Sequence, residues 1–203
     1  MSWCQWIALS SMVIGLGILG YHFLRLVHLG KPHDFARPSG TESAGILYSF
    51  TRGMSPAHKE SAYLHLPTYT AGLVYHVGTF FSVVLLILFF FVPDISGLLL
   101  WIPAGYLCLS CISGLFILIK RVTVGKLRTL SNPDDYFSNI LVTLFQAVTV
   151  VYLLIGRPAG CPYYLCAALL FLYMPLGKLK HVVYFFAARY QLGLFFGRRG
   201  VWR

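Results

Sequence analysis

Long apolar runs separated by short polar, basic segments set the pattern of this chain. From Leu66 to Val92, LPTYTAGLVYHVGTFFSVVLLILFFFV, no residue carries a formal charge. A run of that length spans the hydrocarbon core of a bilayer with some tilt. Four further runs of the same kind cover residues 6–29, 97–119, 134–155 and 162–188. The first has no basic residue ahead of it and is much longer than the apolar region of a signal peptide, so it reads as a retained span. The second and third are separated by Pro93, Asp94 and little else, which predicts an antiparallel hairpin. Before the fourth, SNPDDYF offers Ser131 or Asn132 as a cap, Pro133 for the first turn, and Asp134 and Asp135 against the positive end of the helix dipole. A short RPAGCP turn leads into the fifth, where Pro175 and Gly177 are placed to bend the helix. Residues 30–65, with Pro32, Pro38 and Pro56, read as a loop, and residues 189–203 as a tail. The predicted fold is an all-α membrane protein: a five-transmembrane-helix bundle forming a single domain over residues 1–203.

Composition agrees with that pattern. A chain of 203 residues that is 58% hydrophobic and 11% charged, with a mean hydropathy of +0.73, is not an ordinary soluble domain. A net charge of +10 is compatible with nucleic-acid binding, but the basic residues lie between apolar runs rather than in one patch, so no nucleic-acid partner is expected and the lipid bilayer accounts for them. Every Lys and Arg except Arg157 falls in the first loop with Arg25, in KRVTVGKLR between the third and fourth spans, or in the tail with Lys178 and Lys180. The positive-inside rule then puts the N-terminus outside and the C-terminus, the loop 30–65 and the tail in the cytoplasm, as in a multi-pass protein of the inner (cytoplasmic) membrane. Of the cysteines, Cys108 and Cys111 read as core packing; Cys161 and Cys166 lie near one membrane face, where an oxidising compartment would allow a pair, but no such pair is expected.

One polar group stands out within the apolar runs. His76 lies about 15 Å along the second span from Leu66, and an imidazole in hydrocarbon is costly unless something satisfies it. A neutral imidazole is also the usual axial ligand of a b-type haem. The fifth span returns to the cytoplasmic side, and its His181 lies about 12 Å before Arg189, so the two rings stand at similar depth on different helices. That is the geometry of a haem clamped in a bundle by two histidines. His22 on the first span has a comparable depth, and spacing alone equally allows these rings merely to hydrogen-bond to neighbouring helices. His65 precedes His76 by about three turns. The fifth span has no second histidine to match it, so one haem is expected and His65 reads as an interfacial group.

The stretches TRGMSPAHKESAYLHLPTYTAGLVYHVGTF, LSNPDDYFSN and MPLGKLKHVVYFFAARYQLG resemble the cytochrome b subunit family that includes the gamma subunit of respiratory nitrate reductase. They are closer still to the membrane subunits of heterodisulfide reductase and of the dissimilatory sulfite reductase-associated complex. The resemblance runs from about Thr51 to Arg199 and rests on YHVGTF and the P-x-x-K-x-x-H pattern that ends at His181. It implies that His76 and His181 are the axial ligands of a haem b near the cytoplasm, and that Lys178 faces a haem propionate while Lys180 snorkels to headgroups. The family's second, distal haem would need ligands near Leu86 and near Tyr163 or Tyr164; neither position holds one here.

The resulting expectation is an electron-transfer subunit, not active alone, between membrane quinol or quinone and a cytoplasmic iron-sulfur subunit of the heterodisulfide-reductase kind. Quinone chemistry moves protons as well as electrons, and His65, Tyr69 and His22 are the candidate polar groups for its site, with Lys178 also in reach of that role. The tail, with Phe195, Phe196 and Trp202 among its arginines, reads as part of the partner's docking face. The alternative is a haem-free membrane anchor that docks a soluble redox subunit.

Overall fold

A computed structural model describes residues 1–29, 35–58, 60–92 and 100–202. Among them there is no strand, and four helices are long and apolar enough to cross a membrane: α1 (Trp3–Leu29), α4 (Leu66–Phe91), α5 (Trp101–Thr123) and α7 (Pro133–Ile155). Counting the bent pair 157–173 and 178–198 as one span makes five. The shorter helices are α2 (Glu42–Phe50), α3 (Glu60–Tyr63), α6 (Gly125–Thr129), α8 (Gly160–Tyr173) and α9 (His181–Arg198). The expected turn at Pro93-Asp94, the start of the third span at Gly97, and Lys31 and His33 of the first loop lie outside the described residues.

Two expectations change. The fifth span is not one helix over 162–188: α8 ends at Tyr173 and α9 begins at His181. Pro175 lacks an N–H and so cannot donate to the Phe171 carbonyl, although Met174 before it keeps helical angles (φ −51°, ψ −46°). The amides of Leu176 and Gly177 instead close a turn on the Tyr173 carbonyl at 2.9 and 3.0 Å. The loop 30–65 holds α2 and α3, and the tail 189–203 is helical as far as Arg198. Cys161 pairs with Cys4, a bridge not expected from the sequence. Cys161 and Cys166 share α8, where a five-residue step points side chains apart by over a third of a turn.

The chain divides into two compact units, residues 1–16 with 67–179, and residues 17–66 with 180–203. In the first unit α7 is the most buried of the spanning helices. It starts where the sequence says: Asn132 Oδ1 accepts from the Asp135 amide at 3.0 Å, and the Asp135 carboxylate accepts from the Asn132 amide at 3.0 Å, a capping box with Pro133 in the first turn. The Cys4–Cys161 bridge ties α1 to the start of α8. Farther along, a Cβ at Gly15 would collide with the Phe171 carbonyl, so α1 and α8 touch backbone to backbone.

The second unit is built on a crossing of α2 and α9. Thr41, Gly45 and Ser49 recur every four residues, as do Arg189, Gly193 and Gly197, which puts each set on one helix face. A Cβ at Gly193 would stand 2.6 Å from Ile46 Cα, and one at Gly197 would stand 2.7 Å from the Thr41 carbonyl oxygen. Only glycine permits such an approach. Ser49 Oγ donates to the Arg189 carbonyl at 2.8 Å, and the amides of Ser39 and Gly40 donate to the Arg198 carbonyl at 2.9 and 3.2 Å. Trp202 folds back onto Tyr48 and Phe196, with ring centroids 5.3 and 4.7 Å apart, so part of the tail's aromatic content is internal packing.

Candidate functional site

α4 presents one face to the first unit and another outward. Tyr75, Gly78, Ser82, Leu85, Leu86 and Phe89 are buried, whereas His76, Val77 and Phe80 are exposed. The His76 ring donates from Nδ1 to the Gly72 carbonyl at 2.6 Å. A carbonyl only accepts, so Nδ1 carries a proton, and the neutral form of the ring would have its lone pair on Nε2. This is the tautomer a haem iron requires. His28 makes the same bond to the Leu24 carbonyl at 2.7 Å. It sits in the last turn of α1, so depth in the apolar run, and not the bond alone, distinguishes His76.

The turn that carries His76 is fixed by a polar cluster. Tyr75 Oη donates to the Asn139 carbonyl at 2.9 Å and lies 2.9 Å from Thr143 Oγ1, and its ring covers Gly114, where a Cβ would collide with it. Fully buried Gln146 donates from Nε2 to Thr79 Oγ1 at 2.9 Å and to the Tyr75 carbonyl at 3.3 Å. Ser110 Oγ donates to the Val74 carbonyl at 3.3 Å. With α5 and α7 bonded to both sides of His76 along α4, the ring's base has little freedom to rotate.

Lys178 does not stand alone. Its Nζ bonds the Asp135 carboxylate, which Arg121 Nη1 also meets at 3.2 Å. The Asp135 side chain is 2% exposed and that of Lys178 51%. One carboxylate thus anchors two cations, with Lys178 at the accessible edge of the cluster.

His76, Tyr69 and Lys178 belong to the first unit, and His22, His65 and His181 to the second. His181 opens α9 and is exposed; His22 is half-buried, edge-on to Tyr21 at 5.9 Å; His65 is exposed in the turn before α4 and outside that helix. Within the second unit, Phe23, Phe50, Val182, Val183, Phe186 and Tyr190 line an almost wholly apolar cleft of about 400 Å³. Phe23 follows His22 and Val182 follows His181 in sequence, so this cleft adjoins the helix turns that bear both rings. Its lining suits a flat apolar ring or a prenyl chain.

The two positions considered for a distal haem are filled. Leu86 and Tyr163 are fully buried, and Tyr164 nearly so. Tyr163 stacks on Tyr152 at 4.7 Å and on Phe145 at 5.9 Å, while Phe89 meets Tyr152 edge-on at 4.9 Å. Among the described residues no group of three or more His, Cys, Asp or Glu could hold a metal ion; a haem with two axial imidazoles draws on only two. Sequence reading missed the Asp135 ion cluster and the Gln146 cluster, whose members come from helices far apart in the chain. The only local signal was the presence of Asp135 and Gln146 at the end and the middle of an apolar run. No family model, no curated protein and no solved structure matches the chain, so what it does must be argued from its own residues.

Proposed function

We propose that the chain is a haem b-containing membrane subunit that transfers electrons between a membrane quinol or quinone and a cytoplasmic iron-sulfur subunit of a respiratory oxidoreductase complex. The observation that carries this reading is His76: an exposed imidazole deep in an uncharged span, with Nδ1 donating to the Gly72 carbonyl, so that Nε2 is the atom that would ligate iron. His181 is the second axial ligand. Bound there, the haem would supply one-electron transfer only, because two imidazoles leave no open coordination position. The chain's own part is to hold the rings. Gly72 would fix the His76 tautomer, the Tyr75 and Gln146 bonds fix its turn, and Asp135 steadies Lys178, whose ammonium would face a propionate.

Two features support the finer points. The packed aromatic side chains around Leu86 and Tyr163 support one haem per chain. The Cys4–Cys161 bridge supports an N-terminus outside, since disulfides persist in oxidising compartments and the one basic residue beside this end is Arg157. His65, Tyr69 and His22 are the polar groups proposed for the quinone, whose prenyl chain fits the apolar cleft of the second unit. The iron-sulfur protein would dock on the basic surface of the loop 30–65 and the tail. A reduced-minus-oxidised absorption spectrum of the purified chain tests the proposal: a b-type band is expected, and its absence would leave the haem-free anchor in its place.

A further inference from the structure

The basic end of the first unit holds a second cleft, of about 200 Å³, where the start of α4 meets the end of α5 and the segment after α6. Its polar wall consists of Thr68, Lys120, Arg121 and Ser131, and its apolar wall includes Ile117 and Leu130. Lys120 Nζ bonds Thr68 Oγ1, and Arg121 Nη1 donates to Ser131 Oγ at 3.1 Å, so both cations are held at the wall by hydroxyls. Arg121 and Lys178 share the Asp135 carboxylate; among the described residues no carboxylate pairs with Lys120. Ser131 Oγ in turn donates to the Leu127 carbonyl at 2.7 Å, so the donors a ligand would meet are the ammonium and the guanidinium, and two such cations on one small cleft suit a phosphate group.

We propose that this cleft binds the headgroup phosphate of an anionic phospholipid. The commitment to a lipid rather than to free phosphate comes from α5 itself. Leu109, Ile112, Phe116 and Ile119 are exposed and recur at helical spacing, and Phe116 lies one turn before Lys120 on the same face. An acyl chain can follow that stripe while its headgroup occupies the cleft, as basic pockets between spanning helices allow. The inference rests on the first unit alone and does not depend on haem.

The test uses the full chain in phosphatidylcholine nanodiscs doped with phosphatidylglycerol, read by native mass spectrometry for retained lipid. Wild-type protein is expected to retain one phosphatidylglycerol. The Lys120→Gln, Thr68→Ala double variant should lower retention more than about fivefold, beyond the effect of losing one near-surface cation, and Lys120→Arg should largely keep it. Unchanged retention in the double variant would overturn the site. An equal loss in Arg128→Gln, whose side chain lies outside the cleft, would show general surface attraction and overturn it as well. Displacement of the lipid by inorganic phosphate would overturn the assignment to a phospholipid.

Discussion

The two ends of α4 within the first unit make opposite uses of burial. Around Phe89 the helix meets Tyr152, Tyr163 and Tyr164 in an aromatic cluster, with an inter-helix bond from Tyr164 Oη to the Phe89 carbonyl at 3.3 Å. Around Tyr75 it meets Gln146, Thr143 and Ser110, and hydrogen bonds take the place of ring contacts. Ring packing gives area and shape without directing any group outward. Hydrogen bonds are worth about 0.6 kcal/mol each on average in such bundles, but they fix rotation about the helix axis. A residue that must aim a side chain away from the core, as His76 does, needs the second kind of support.

The sharpest test of this contrast is chemical. Replacing His76 or His181 by Ala is expected to abolish the reduced b-type band, whereas His58→Ala in the loop and His33→Ala should retain it. Full haem in both ligand variants would break the assignment. A pyridine haemochrome assay on wild type should give about one haem per chain; a ratio near two would mean that the aromatic end opens to a cofactor. Tyr163→Ala should then cost about 3–5 kcal/mol, read in thermal or denaturant unfolding, while leaving the band position unchanged. A shifted band would mean that the two ends of α4 are not separable.

The bridge at the aromatic end should matter less. Cys4→Ser removes a link between residues 157 apart in sequence and is expected to destabilise by about 2–4 kcal/mol. Oxidised wild type, but not the variant, should run faster on a non-reducing gel. The smallest effect belongs to the polar end: Tyr75→Phe loses the bonds to Asn139 and Thr143 at a cost of about 1 kcal/mol. Its signature is spectroscopic, an altered midpoint potential or broadened haem resonance from a loosened His76, and an identical potential would deny Tyr75 any positioning role.

The spans were legible because each exceeds the length a bilayer demands, and the start of α7 because Asn132, Pro133 and Asp135 form a local capping code. The break at Pro175 was legible as a bend but not as a stop, since proline removes one donor and leaves tertiary contacts to decide whether the helix resumes at once. Cys4 and Cys161 were each visible, but pairing depends on a fold that brings them to a Cα separation of 5.4 Å. α2 hid within polar sequence because it buries glycine and serine rather than large apolar groups. Asp135 read as a dipole partner alone; its second role with Arg121 and Lys178 is a meeting of three distant segments.

The glycine crossing of α2 and α9 has a consequence for the order of synthesis. Ser49 and the Arg189 carbonyl it bonds are 140 residues apart, and Gly193 and Gly197 come later still. During translation α2 therefore leaves the ribosome long before the surface it packs on exists. A nine-residue helix is marginal by itself. The second unit can close only after nearly the whole chain has been made, so a protease acting on nascent chains would find the segment around Gly45 unprotected until Gly197 arrives.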